Sequence, residues 1–314
     1  MAIAAVLQIT NKMPLVMVIT ILSAGGGIAG SALFRYMSDA GLNPVLVNAD
    51  RGSSWRNIGG GRTAFSLPEL AEIAEHNHAI FKELQKISNI DYKTTRYINL
   101  AHDESTFNAL DASRAWSDAF MVDPKNFHKE ISPYFSTKSK RYLGALITND
   151  CWQATPGKVV DLIRNMGVSA GGRIVEDCKV LEVMKEGSTY SILVLTHDKK
   201  YVEFRTEIFV NALGAGAGKI CEGLGIHAGL YPVRHQAFIT RRLPMLGKNG
   251  DSLDMLIDRQ EYKGFSAVYG QQLLHTGQII GCASPRVDAL RTDKNLILNT
   301  KEFMEIVTDL TDEQ

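Results

Sequence analysis

No CxxC pair occurs in this 314-residue chain, and its four cysteines, Cys151, Cys178, Cys221 and Cys282, are widely spread. That spacing excludes a disulfide scaffold and most structural zinc sites, and it fits a reducing compartment such as the cytoplasm. Neither charge is in excess: Lys+Arg and Asp+Glu are 34 each, a formal net charge of zero. The basic footprint of a nucleic-acid binder is therefore missing. Internal repeats and low-complexity segments are also lacking. With 45% hydrophobic and 22% charged residues, the composition excludes a disordered chain, a collagen and a coiled coil. His76 and His78 lie two apart in a helical stretch and point to different faces, so no metal site is expected there and none elsewhere.

Residues 13–34 carry no charge at all. Such a run is long enough to span a bilayer, and Gly26 and Gly30 form a GxxxG pair. The competing reading is a buried strand, a glycine turn and a helix. Val16, Val18, Ile19, Thr20 and Ile21 are β-branched, which suits a strand buried on both faces. Three consecutive glycines would weaken a membrane helix and make a good turn, so strand–turn–helix is preferred. Peripheral association with a membrane is the residual alternative to a cytoplasmic protein.

The motif Gly25-x-Gly27-x-x-Gly30 follows that strand directly. An apolar helical stretch comes next, Gly41 ends it, and residues 44–47 read as a second buried strand. This is the β-α-β context that a dinucleotide fingerprint demands. Gly25 allows the tight turn, Gly27 lets the backbone approach a pyrophosphate, and Gly30 lets the helix pack closely on the strand. An acid that holds a ribose is expected after the second strand. Asn48 stands in that place and Asp50 lies two residues on, and either can hydrogen-bond a hydroxyl. The loop 51–62 is rich in Gly, Ser and Asn and carries Arg51, Arg56 and Arg62. It offers amides and cations to phosphates or to an anionic ring.

Further along, residues 70–84 and 104–120 read as helices, with His102, Trp116 and Phe120 as packing or surface residues and both His76 and His78 as surface or interface residues. A strand at 142–148 precedes a helix that starts at Pro156 and ends before Gly171-Gly172. Strands at 173–175 and 178–184, a hairpin of 190–195 with 201–204, and a separate buried strand from Ile208 into a Gly/Ala turn follow. After Pro232 the spacing of strands at 233–240, 254–258, 265–269 and 278–282 suits an antiparallel sheet, and 296–310 reads as a last helix.

Several motifs, in this order, resemble the FAD-dependent D-amino-acid oxidase superfamily, which includes glycine oxidase, sarcosine oxidase and D-amino-acid dehydrogenase. They are Gly25-Gly-Gly-Ile-Ala-Gly30, Ser53-Ser-Trp-Arg-Asn57 with Gly59-Gly-Gly61, Ala154-Thr-Pro-Gly157, Val210-Asn-Ala-Leu-Gly214 and Pro232-Val-Arg-His-Gln236. The resemblance implies an α/β fold. A discontinuous Rossmann-like FAD-binding domain would hold 13–90 and 150–225. A substrate domain on a mixed or antiparallel sheet would hold 91–149 and 226–314. It also implies the chemistry: hydride passes from a C–H bond beside an amine to flavin N5, and the imine hydrolyses.

By position, the resemblance assigns Gly25, Gly27 and Gly30 to the pyrophosphate and Asn48 to the adenosine ribose. Ser54, Asn57, Gly60 and Gly61 would pass the phosphates and flavin. Val180 would contact adenine through its backbone, and Ala212 and Gly214 would close over the ligand. Arg62, Tyr262 and Tyr269 are the candidates for orienting substrate, with Arg234 structural. The implied partners are a small amino acid or amine, an electron acceptor (oxygen, a quinone or a carrier protein), and a second copy or a partner subunit.

Three departures stand out: Asn48 replaces an acid, His235 replaces a glycine, and no glycine follows Gly281, where the family has a late Gly-rich segment. Two other functions are therefore kept beside amine oxidation. One is an incomplete FAD-binding piece that needs a partner chain, and the other is a 2-hydroxy-acid dehydrogenase.

Overall fold

The computed structural model describes residues 15–49, 52–65, 67–116, 118–135, 141–230, 232, 235, 237–244, 246, 253–260, 265–273 and 276–285. In chain order the elements begin with β1 (Leu15–Ala24), α1 (Ile28–Asp39), β2 (Val45–Val47), β3 (Gly60–Gly61) and α2 (Pro68–Ile87). Then come β4 (Lys93–Ala101), α3 (Glu104–Ala112), β5 (Ala119–Val122), α4 (Phe127–Glu130), β6 (Gly144–Gln153) and α5 (Pro156–Ser169). Next are β7 (Arg173–Val175), β8 (Lys179–Glu186), β9 (Thr189–Leu195), β10 (Tyr201–Asn211) and α6 (Ala217–Gly223). The described part ends with β11 (Ala237–Ile239), β12 (Met255–Asp258), β13 (Phe265–Gln272) and β14 (Ile279–Pro285). No described helix is long and apolar enough to cross a membrane, and the uncharged run is the strand–turn–helix β1–α1.

The chain divides into two units, one of 1–59, 80–92 and 154–232, the other of 60–79, 93–153 and 233–314. Residues 60–79 thus fall in the second unit rather than in the nucleotide unit where the sequence put them, because β3 pairs with β6. The first unit is built on a sheet of order β7-β2-β1-β10-β9-β8. Its strands β7, β2, β1 and β10 are parallel, and β9 and β8 continue it antiparallel. Leu22, Ala24, Val45, Val47, Ile192, Val194 and Phe204 form its core. Helices α1 and α5 meet at Phe34, whose ring lies where a Cβ on Gly167 would be, so the helices approach closely.

The second unit holds a sheet of order β11-β14-β13-β12-β4-β6-β3, with β5 also paired to β6. Only β12 with β4 is parallel among its described pairs, so the sheet is mixed, as expected. Its two faces differ. Ile98, Leu100, Ala145 and Ile147 pack with Val122, Phe127, Ile131 and Leu256 into an apolar core. The strand register puts Tyr97, Asn99, Ile257, Tyr269 and Cys282 on the opposite face.

Three local readings are corrected. The helix over 104–120 stops at Ala112, passes through a 3-10 turn and becomes β5, because Phe120 pairs with Ile147 of β6. The two strands read at 201–204 and from Ile208 are one, β10, which pairs with β1 along nearly its whole length. His78 is a buried residue rather than a surface or interface one, stacked on Trp152 with centroids 4.5 Å apart. Asp50, Arg234, Tyr262, the side chain of Trp116, and the helix at 296–310 lie outside the described residues.

Candidate functional site

Four parallel strands of the first unit end along one edge, β1 at Ala24, β2 at Val47, β7 at Val175 and β10 at Asn211. Ligands of open α/β sheets gather at such an edge. Gly25 leaves β1 with φ +105°, and its N–H donates to Val47 O at 2.8 Å. A Cβ there would strike the carbonyl oxygen of Ala212, and one on Gly30 would strike that of Gly25. Ala212 is tied to the same corner, its N–H donating to Ala24 O at 2.9 Å. Helix α1 begins at once, with Gly27 as N-cap and no side-chain cap from Gly27 itself. Ser54 reaches over instead, and its Oγ accepts the N–H of Ile28 at 2.9 Å. The amides of Ala29 and Gly30 stay outside the intrahelical ladder, at the positive end of the helix dipole.

This corner fits the pyrophosphate of FAD. Gly25 and Gly30 let the end of β1 and the first turn of α1 pack closely, free amides lie at that turn, and no acid stands in it. Gly25, Gly27, Gly30, Ser54 and Ala212 are brought together here. Gly214 adds a left-handed turn (φ +55°) after β10. Asn57 works within its loop: its Nδ2 donates to Ser54 O at 2.7 Å and its Oδ1 accepts from Gly59 N–H at 2.7 Å. Val180 lies in β8 beside a bulge between Val180 and Glu182.

Asn48 is oriented otherwise than expected. It is 7% exposed, its Oδ1 accepts the N–H of Gly26 at 3.1 Å, and its Nδ2 donates to Glu176 Oε2 at 2.9 Å. It braces the glycine turn with both ends of its amide.

In the second unit, Gly60 and Gly61 are glycines for reasons of packing. A Cβ on Gly60 would lie 2.5 Å from Tyr97 Oη, and one on Gly61 would enter the indole of Trp152. Arg62 follows directly, with its guanidinium 4.6 Å from the centroid of Phe65. Arg259 follows β12, its Nε donating to Asn99 Oδ1 at 3.0 Å. Burial, and then the like charge of Arg62, push the Arg259 guanidinium below its usual pKa. Neither arginine has a carboxylate partner among the described residues.

Burial pushes Tyr97 well above the usual phenol range, with nearby Cys151 adding to it and Arg62 opposing. Burial pushes Cys151 up to about 12. Tyr269 is also pushed up, first by burial and then by its hydrogen bond to Cys282, which faces it across β13 and β14. Both tyrosines are thus neutral donors at ordinary pH, and the lasting charges of the cluster are the two arginines. Tyr97, Cys151 and Arg259 were not singled out from the sequence. Nothing local marks them, since three separate strands bring them together.

The chain is 27% identical over 251 residues to subunit A1 of the anaerobic glycerol-3-phosphate dehydrogenase of Haloferax volcanii, covering 71% of this chain and 40% of that protein. It is 23% identical over 242 residues to the formaldehyde-forming 4-methylaminobutanoate oxidase of Paenarthrobacter nicotinovorans, covering 74% of this chain and 29% of that protein. The chain thus spans well under half the length of these curated relatives. In fold it is similar to L-proline dehydrogenase from P. horikoshii, with a TM-score of 0.74 and 20% identity over 96% of this chain and 77% of that one. It is also similar to the FAD-bound L-α-glycerophosphate oxidase of Mycoplasma pneumoniae, with a TM-score of 0.66 and 17% identity over 91% of this chain and 76% of that one. The pattern described as FAD dependent oxidoreductase (DAO) matches residues 24–296, and the chain belongs to that family.

Proposed function

We propose that the chain oxidises the carbon–nitrogen bond of an amino acid or secondary amine, using FAD. The observation that carries this reading is the pair Arg62 and Arg259, two cations that act on each other without a carboxylate partner among the described residues. An anion supplied by the substrate would relieve their repulsion, and a carboxylate fits a guanidinium fork. Bound FAD supplies the acceptor for the hydride of the C–H bond beside nitrogen. Arg62 and Arg259 hold the carboxylate, and Asn99 fixes the plane of Arg259. Tyr97 and Tyr269 stay protonated at neutral pH, so neither phenol is the base that takes the amine proton. Oxygen, a quinone or a carrier protein takes the electrons onward, and a second copy or a partner subunit completes the assembly.

A second reading has support from the same pair. Two guanidinium groups also suit a phosphate dianion or a hydroxy acid, and the Haloferax relative is named for glycerol 3-phosphate. Anaerobic mixing of the FAD-loaded protein separates the two. Bleaching of the flavin by proline, sarcosine, glycine or D-alanine, with KM raised at least tenfold in Arg259→Ala, supports amine oxidation. Bleaching only by glycerol 3-phosphate or lactate supports the second reading. Bound FAD that no substrate of either class reduces would sink both.

A further inference from the structure

The acid that binds the adenosine ribose has moved by one strand: we propose that Glu176, at the end of β7, holds the ribose hydroxyls of FAD, and that Asn48 and Arg164 position it. The inference rests on the FAD site described above and goes beyond it in naming the residue. Asn48 is 7% exposed, and both ends of its amide already hold protein partners. Its amide oxygen is committed to Gly26 N–H and its amide nitrogen to Glu176. The backbone ties the same two strand ends together, with Asn48 N–H donating to Val175 O at 3.0 Å and Cys178 N–H donating to Asn48 O at 2.9 Å. Glu176 Oε2 thus lies one hydrogen bond, 2.9 Å, from the place an acid after β2 would occupy.

Glu176 has what a ribose ligand needs. It is a carboxylate, its side chain is 49% exposed, and it stands on the strand-end edge where the pyrophosphate corner opens. Arg164 of α5 pairs with its other oxygen. That arginine is 7% exposed and stacks on Trp55 at 5.7 Å, so the guanidinium is a fixed support rather than a mobile counter-ion. Each carboxylate oxygen keeps a lone pair for a hydroxyl donor. The arrangement also accounts for the amide at position 48. An aspartate there would set two carboxylates side by side, whereas asparagine donates to one and accepts from the glycine turn.

The test exchanges acid and amide. Binding of ADP and of 2′,3′-dideoxy-ADP to the full chain is measured by calorimetry, and FAD binding by flavin fluorescence. Wild type is expected to prefer ADP over the dideoxy ligand by about tenfold or more, the weight of a hydrogen bond to a charged group. Glu176→Gln should bring that preference to within about threefold, and Glu176→Ala should do the same if the glutamine variant melts early. Asn48→Asp alone should weaken FAD binding, and the double variant Asn48→Asp with Glu176→Gln should regain both affinity and preference. A full preference for ADP in Glu176→Gln, tighter FAD binding in Asn48→Asp alone, or no binding of ADP by wild type would each overturn the assignment. ADP binding with the expected pattern, in a protein that oxidises nothing, upholds it and counts against the catalytic reading instead.

Discussion

Gly30 of α1 packs on the carbonyl oxygen of Gly25, leaving no room for a methyl group between the first turn of the helix and the end of β1. Both partners of the clash are backbone, so neither can swing aside. Gly30→Ala should therefore cost at least the ~1–3 kcal/mol of an overpacked site and weaken FAD binding more than tenfold, because the helix N-terminus must shift. Gly223→Ala is the control. A Cβ there meets nothing within 4 Å, and its effect should stay within ~0.5 kcal/mol. Thermal melts and flavin fluorescence titrations of the two variants check the contrast.

Cys151 gives the second unit an alkaline limit. Its thiol moves from an ordinary 9.0 up to about 12 on burial. A raised acid pKa means that the unfolded chain ionises first. Its contribution to stability is complete below about pH 9 and is lost as pH rises from there toward 12. The melting temperature should fall steadily above pH 9, and less steeply in Cys151→Ser. Alkylation at pH 8 should be slow at Cys151, where burial both shields the thiol and holds it in its protonated form, and faster at the partly exposed Cys221. Mass spectrometry of iodoacetamide-treated protein reads the order.

Local pattern made the nucleotide corner legible. The β-branched run of β1, the glycine spacing and the apolar 45–47 strand fix one another within a single β-α-β unit. What pattern could not carry was direction and distance. Asn48 stands at the expected strand end, yet its partner Glu176 is 128 residues away. The signal was present all the same, since the short strand Arg173–Val175 is followed directly by an acid, Glu176. Ala119 and Phe120 read as the tail of a helix, and pairing with β6 makes them the start of a strand. Arg259 had no local signal at all, and its meaning comes from Asn99 on another strand.

Trp152 lies where a Cβ on Gly61 would be, and its indole also stacks with His78, the ring centroids 4.5 Å apart and the rings 7° from parallel. The glycine and the indole are one packing unit. Gly61→Ala alone forces the ring away and breaks the stack. Trp152→Ala alone leaves a cavity costing ~3–5 kcal/mol. In the double variant the new methyl group enters that cavity instead of a ring. The two costs should therefore fall short of additivity by ~1 kcal/mol or more, which a cycle of four urea unfolding curves measures.

Ser54 sets stability and cofactor affinity against each other. Its Oγ accepts the N–H of Ile28, an amide that also faces the pyrophosphate corner. Ser54→Asp would keep an acceptor there and add a negative charge at the positive end of α1, which has no acid in its first turn. The dipole should favour that charge by ~0.3–1 kcal/mol and raise the melting temperature of the protein without FAD. The same charge would oppose a pyrophosphate arriving at the same amides, so FAD affinity should fall at least tenfold. Ser54→Ala should behave in the reverse sense. It loses ~1 kcal/mol without FAD, and that loss should shrink on saturation with FAD as a phosphate oxygen takes over the Ile28 amide. Opposite signs in melting temperature and affinity belong to a hydroxyl that shares an amide with phosphate. Parallel changes in both would mean that Ser54 only holds its loop in place.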